Sequence, residues 1–297
     1  MKTLRESLLD IDSVQSGLEP IALINEWCKE NIKGTYKIDP KTLDINSNGY
    51  IEITNKELIE FPGYIHFGTV GGYFSCYNCK NLTSLKGSPK EVGGYFSCAY
   101  CNSLTSLEGA PETVNDCFDC SHCKNLTSLE GAHKKVVTDF NCSECANLTS
   151  LKGSPKEVVG YFNCAYCSDL TSLEGAPQKV GGDFSCSGCK NLTSLEGISK
   201  KIGRHFGCSN CTSLTSLKGA PKEVGGNFSC SNCTSLTSLE GAPEKVNWDF
   251  NCSYCTSLAS LEGAPKIVNG YFICRDSKKK FTEDDIKKVC KVKDIRV

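Results

Sequence analysis

The chain predicts a β-rich repeat solenoid built round a parallel sheet of about ten short strands, with a small α+β cap at its N-terminal end and a short helical cap at its C-terminal end. Three observations carry this expectation. Phenylalanine recurs at Phe74, Phe96, Phe118, Phe140, Phe162, Phe184, Phe206, Phe228, Phe250 and Phe272, each 22 residues after the last, and spacing this strict means stacked copies of one coil. Phe184 and Cys186 stand two apart, as do their equivalents, so an extended segment turns both to one face and Asp183, Ser185 and Ser187 to the other. Glycine fills one slot from Gly87 to Gly263 in all nine complete units, which suits a turn needing positive φ or a close backbone approach.

The unit reads V-G-G-x-F-x-C-x-x-C-x-x-L-T-S-L-x-G-x-P-x-x, and nothing in it has helical length. Pro ends regular structure two residues after the turn glycine in seven of the nine units, with His133 and Ser199 as the exceptions. A slower period lies on top. The residue after each Leu-Thr-Ser-Leu run is Lys86, Glu108, Glu130, Lys152, Glu174, Glu196, Lys218, Glu240 and Glu262, and Lys86–Val92 returns unchanged at Lys152–Val158. The chain thus reads as grown by copying a three-coil block, and positions that differ between coils are the informative ones.

The run F-x-C-x-x-C-x-x-L resembles the leucine-rich-repeat core L-x-L-x-x-N/C-x-L, lengthened by one residue, over residues 70–276. Its C-x-x-L-T-S-L-x-G-x-P stretch is similar to the short repeats of bacterial effector-type and treponemal-type leucine-rich proteins and of repeat proteins carried by bacteriophages. The resemblance implies a leucine-rich-repeat-like solenoid. It also implies that the second Cys of each unit, from Cys79 to Cys255, occupies the slot where the family has an inward Asn. For function it implies protein binding, with an inhibitor or decoy of a host protein as one form.

A solenoid exposes its core at both ends unless capped, and both ends change character. Pro20 to Ile32 predicts a helix with Ile21, Leu23, Ile24, Trp27, Cys28 and Ile32 near one face. Tyr36–Ile38 and Leu43–Ile53 alternate like strands around Asn48-Gly49, a two-residue hairpin signal. Near the other end Thr282 and Asp285 form a variant capping box before a short helix. Residues 1–69 and 277–297 are accordingly assigned as caps around the 70–276 solenoid.

The 33 basic and 34 acidic residues leave a formal net charge of −1, so no global field draws the chain to nucleic acid or an anionic membrane. Met1–Glu6 carries no apolar signal region and no stretch approaches the ~18 apolar residues of a membrane span. The expectation is a cytoplasmic protein whose 22 cysteines are free thiols.

Several motifs imitate chemistry. Nine C-x-x-C pairs at 18-residue separation, such as Cys76/Cys79 and Cys98/Cys101, match a four-cysteine zinc site numerically. That spacing follows from any 22-residue repeat containing C-x-x-C, so inert core thiols are the expectation, with no metal and no cofactor, and metal binding stays as an alternative. Asp44–Ile51 imitates an EF-hand loop, but its twelfth position is Asn55, and the hairpin reading is preferred. The Thr-Ser pairs from Thr83-Ser84 to Thr237-Ser238 predict a solvated arc rather than an ice-binding array. His66, His122, His133 and His205 are scattered, and the Gly-Gly pairs open no helix, so no catalytic constellation is expected.

The position before Phe faces outward and varies: Tyr73, Tyr95, Cys117, Asp139, Tyr161, Asp183, His205, Asn227, Asp249 and Tyr271. Tyr100, Tyr166 and Tyr254 add aromatics just beyond the strand, and Trp248 replaces a glycine of its unit. Tyr and Trp are the side chains most often energetic at interfaces. A protein or peptide partner is therefore expected on Tyr73, Tyr95, Tyr100, Asp139, Tyr161, Tyr166, Asp183, His205, Trp248, Asp249, Tyr254 and Tyr271, and the oligomeric state stays open. A structural spacer or virion component, and a metal-binding cysteine column, are the competing readings of function, and stacked tyrosines that simply cover the sheet and pin the register of neighbouring coils are the competing reading of the surface. Protein purified under reducing conditions without added zinc should carry near-zero metal and show almost all of its 22 thiols to a titrant once unfolded; several stoichiometric zinc ions would make metal the organiser of the fold instead.

Overall fold

The computed structural model describes residues 19–132 and 135–297. Met1–Glu6 and His133, which entered the sequence reading, lie outside the described residues. The described chain winds into a β-solenoid of about 11 turns with a mostly parallel sheet and two short helices.

Each coil contributes two short strands. One begins on the repeated Phe, as in Phe184–Ser185, and pairs in parallel with Phe162–Asn163 behind it and Phe206–Gly207 ahead. The other ends on the repeated Val, as in Lys179–Val180, and pairs in the same way with Val158 and Ile202. The sequence raises no expectation of this second ladder, because two residues are too few to show alternation.

Register is residue for residue, so like side chains stack in columns. All ten repeated Phe are at most 1 % exposed, and neighbouring rings lie from 5.0 to 5.9 Å apart. Both cysteines and both leucines of each unit join them in one continuous core. The three-coil charge pattern becomes Lys86–Glu108, Lys152–Glu174 and Lys218–Glu240 contacts of 3.3, 3.2 and 3.1 Å on the outside. These pairs are well exposed and add little stability each.

The turn glycine does what its fixed position demands. Gly197 has φ +104°, and a Cβ there would lie 2.5 Å from the Leu173 carbonyl oxygen of the coil behind. The seven prolines that follow, from Pro89 to Pro265, are all buried.

At the N-terminal end, helix α1 (Pro20–Asn31) buries Ile24, Trp27 and Cys28. The Trp27 ring meets Phe61 and Phe67 edge-on at 6.3 and 6.5 Å, closing the core, whereas Ile21 is exposed. Strand β1 (Ile32–Gly34) runs antiparallel to Ile51–Ile53, and β2 (Lys37–Ile38) antiparallel to Ile45–Ser47. Asn48-Gly49 is not a hairpin turn. Ile45–Ser47 pairs with Phe67–Val70, while Ile51–Ile53 pairs with Phe74–Ser75. Asn48-Gly49-Tyr50 is thus the corner that Gly71-Gly72-Tyr73 makes one coil later, with Gly72 donating to the Gly49 carbonyl at 2.8 Å. An Asn-Gly pair serves a corner as well as a hairpin, and the parallel partner above decides which forms.

At the other end Ile267–Ile273 is one continuous strand carrying both ladders. Helix α2 (Glu283–Val289) follows, with both hydrogen bonds of the Thr282/Asp285 capping box in place. The chain then adds a strand the sequence does not announce, Lys291–Arg296, parallel to Ile267–Ile273. Among the described residues no helix is long and apolar enough to cross a membrane.

Gly197→Ala should cost about 1–3 kcal/mol, because the new methyl meets the neighbouring backbone and forces an unfavourable φ. Equilibrium denaturation in urea, read as a lower midpoint at unchanged slope, measures it.

Candidate functional site

The residues before the repeated Phe form a column along the solenoid whose character changes from end to end. Tyr50, Tyr73 and Tyr95 stack nearly parallel with ring centroids 4.8 and 4.6 Å apart. Tyr50 was not among the residues read as outward-facing, because its coil was hidden by the hairpin reading.

Further along, the polar members turn back onto the stack. Asp139 Oδ1 accepts from the Tyr161 backbone N–H at 2.7 Å, and Asp183 Oδ1 from that of His205 at 2.9 Å. His205 Nδ1 accepts from Asn227 N–H, Asn227 Oδ1 from Asp249 N–H, and Asp249 Oδ1 from Tyr271 N–H, at 2.9, 2.9 and 2.8 Å. The backbone donor in this corner lies between the two strand ladders, so the side chain one coil behind becomes its acceptor. Asp139, Asp183, His205 and Asp249 are half-buried and already hold the next coil in place. All three aspartates make this bond through Oδ1.

Burial pushes the half-buried Tyr161 phenol up to about 12. Tyr271 carries Arg296 over its ring at 3.8 Å, a cation–π contact that covers one face. Trp248 stands 58 % exposed, with the His205 ring against it at 5.5 Å.

Tyr100, Tyr166 and Tyr254 belong to a different ridge, in the turn five residues after that column. Their φ values are +61°, +60° and +61°. The same slot holds Asn78, His122, Glu144, Asn210 and Asn232, all at positive φ, and Gly188 at +76°. Asn and Gly adopt this left-handed conformation readily; a bulky side chain does so at a cost of order 1 kcal/mol or more. Tyr166 and Tyr254 are 58 % and 53 % exposed, with Tyr77 at 48 % close by in the same turn. Tyr77 meets Tyr100 edge-on at 5.4 Å, Tyr100 stacks on His122 at 4.1 Å, and His122 Nδ1 reaches Glu144 Oε2 at 3.0 Å. The Tyr166 ring lies over Gly188, where any side chain would collide with it.

Sequence reasoning missed Tyr77, His122 and Glu144. For His122 and Glu144 the signal was present: Asn and Gly recurring at the second x of C-x-x-C mark a left-handed position, against which His and Glu stand out, whereas Tyr77 occupies the first x and carries no such mark.

The cysteines form two buried columns. From Cys101 onward each second Cys donates to the backbone carbonyl of the first Cys one coil behind, as Cys101 to Cys76, Cys167 to Cys142 and Cys255 to Cys230 at 3.1, 3.2 and 3.2 Å, while Cys79 donates to the Asn55 carbonyl. Burial pushes the Cys79 and Cys167 thiols up to about 12 and also holds Cys120 and Cys164 well above the ordinary thiol value. Among the described residues no three His, Cys, Asp or Glu side chains gather into a group that could hold a metal ion.

Comparison with protein-family models, with curated proteins and with solved structures found no match.

Thiols held above their ordinary value of 9.0 keep their protons in the fold after the unfolded chain has lost its own. Their contribution is complete below about pH 9 and is lost as pH rises toward about 12. The urea midpoint should hold level from about pH 6 to 8 and fall steadily above about pH 9; a midpoint unchanged up to about pH 11 would mean ionised thiols in the fold.

Proposed function

We propose that this protein is a non-catalytic interaction module, a leucine-rich-repeat-like solenoid that holds a protein or peptide partner against its outward aromatic side chains. The observation that carries the reading is the ridge at positive φ. Three tyrosines stand where Asn or Gly would serve the turn at lower cost, and two of them leave most of the ring in solvent. Backbone strain that the turn itself does not need, spent on exposed aromatic surface, fits recognition. Tyr73 and Tyr95 on the neighbouring column, and Trp248 farther along, extend the surface.

The leucine-rich-repeat-like reading draws support from the second-Cys column. Its thiols donate to the coil behind from the slot where that family has an inward Asn. The bacteriophage-borne repeats that the sequence resembles suggest an inhibitor or decoy of a host protein as the form this binding takes.

Replacing Tyr100, Tyr166 and Tyr254 together by Asn separates binding from folding. The triple variant should melt at the same temperature as the parent or higher, because Asn relieves the left-handed positions. Its capture of the parent's partner in a competition pull-down should fall at least tenfold, about 1.4 kcal/mol. Undiminished capture overturns the ridge as the interface. Self-association as the sole interaction, seen by native mass, would favour a structural spacer.

A further inference from the structure

Trp248 stands in a slot that is glycine in both flanking coils, Gly226 and Gly270. On the Gly270 side this opens a notch of about 350 Å³ between Trp248 and the terminal strand. Gly270 and Tyr271 line it, Trp248 forms one wall, and Lys293 and Asp294 form the other. Asn247 and Asn269 complete the rim. A side chain at Gly270 would collide with Asp249 Oδ1 and the Trp248 backbone, so the notch is kept open by the same packing that builds the coil.

The lining chemistry is specific. Asp249 Oδ1 is fixed by the Tyr271 N–H, and Asp294 Oδ1 by the Ile295 N–H, both at 2.8 Å. Each carboxylate therefore has its second oxygen free to accept in a held orientation. The exposed Asn247 and Asn269 amides make no side-chain hydrogen bond among the described residues, and each offers a donor beside an acceptor. Lys293 adds a cationic donor.

Two carboxylates against one ammonium disfavour a phosphate. No group of three metal-ligating side chains occurs among the described residues, which disfavours a divalent cation. What remains is a neutral molecule with many hydroxyls and one apolar face. Arg296 covers Tyr271, which leaves Trp248 as the platform. The volume sits at the small end of ligand sites, of order 300–1,000 Å³, enough for one ring.

We propose that this notch binds a single pyranose unit of a carbohydrate. Its axial C–H face lies on the Trp248 indole, and its hydroxyls are taken by Asn247, Asn269, Lys293 and the free oxygens of Asp249 and Asp294. The site rests on the Gly270 notch and not on the tyrosine ridge, so it stands whatever becomes of the protein-binding reading.

The chain has two tryptophans, and Trp27 is 9 % exposed against 58 % for Trp248. A change in tryptophan emission on adding a sugar therefore reports on Trp248. Titration with methyl glucopyranoside, methyl galactopyranoside and N-acetylglucosamine should give a saturable change for at least one, with a midpoint in the ~millimolar range. Asn247→Ala with Asn269→Ala, two exposed side chains, should raise that midpoint at least tenfold without altering the melting temperature. The proposal is overturned if no pyranoside saturates below ~100 mM, if adenosine, inorganic phosphate or calcium gives a tighter response, or if the double variant binds as the parent does.

Discussion

Parallel hydrogen bonds between the same residues of successive coils are the constraint on which the rest of this molecule depends. A strand of two residues has no stability alone, and each coil here contributes little more than two of them. Stacked in register, each repeated Phe meets the Phe of the next coil along the whole length, and the repeated Val meets Val or Ile through most of it. An insertion of one residue would break both ladders at once and turn core positions to solvent. Stability in such an array is close to a sum of coil and neighbour terms, which makes the two ends critical. Trp27 on α1 closes one end, and the Lys291–Arg296 strand with α2 closes the other.

The cysteine columns answer a problem that stacking creates. Identical side chains repeat at every coil, so a charged inward group would face its own copies at close range in a low dielectric. A protonated thiol is small, carries no charge and still donates. From Cys101 to Cys255 it supplies the backbone carbonyl behind with a weak hydrogen bond. The outward polar column uses the complementary device: Asp139, Asp183, Asn227 and Asp249 accept from the backbone ahead. Side chains on both sides of the coil thus finish hydrogen bonding that the short strands leave incomplete.

What could be read from the chain was whatever is repeated. The Phe column, the positive-φ glycine at Gly197 and its equivalents, and the Thr282 capping box each tie a residue type to a local need, and each stands in the structure where the spacing puts it. What could not be read depends on the neighbour above. Asn48-Gly49 makes a corner because Gly71-Gly72 lies over it, and Lys291–Arg296 is a strand because Ile267–Ile273 offers it an edge. The surface followed the same division. Exposure of Trp248, Tyr166 and Tyr254 was visible from their slots, whereas the engagement of Asp183 with His205 and the stacking of Tyr100 on His122 required the partner coil.

Of the 22 cysteines, 21 are buried and Cys117 alone is partly open, and even its thiol is pushed up to about 12 by burial and by the nearby Asp119, Asp139 and Asp116. Toward a dissolved electrophile or oxidant the native molecule therefore presents almost no nucleophilic sulfur, despite a thiol content typical of metal-storage or redox proteins. The rate at which its buried sulfurs become modified is scaled by how often coils open, on top of the intrinsic chemistry of the reagent. Each column is in effect a position-by-position record of where along the solenoid the stack has transiently come apart.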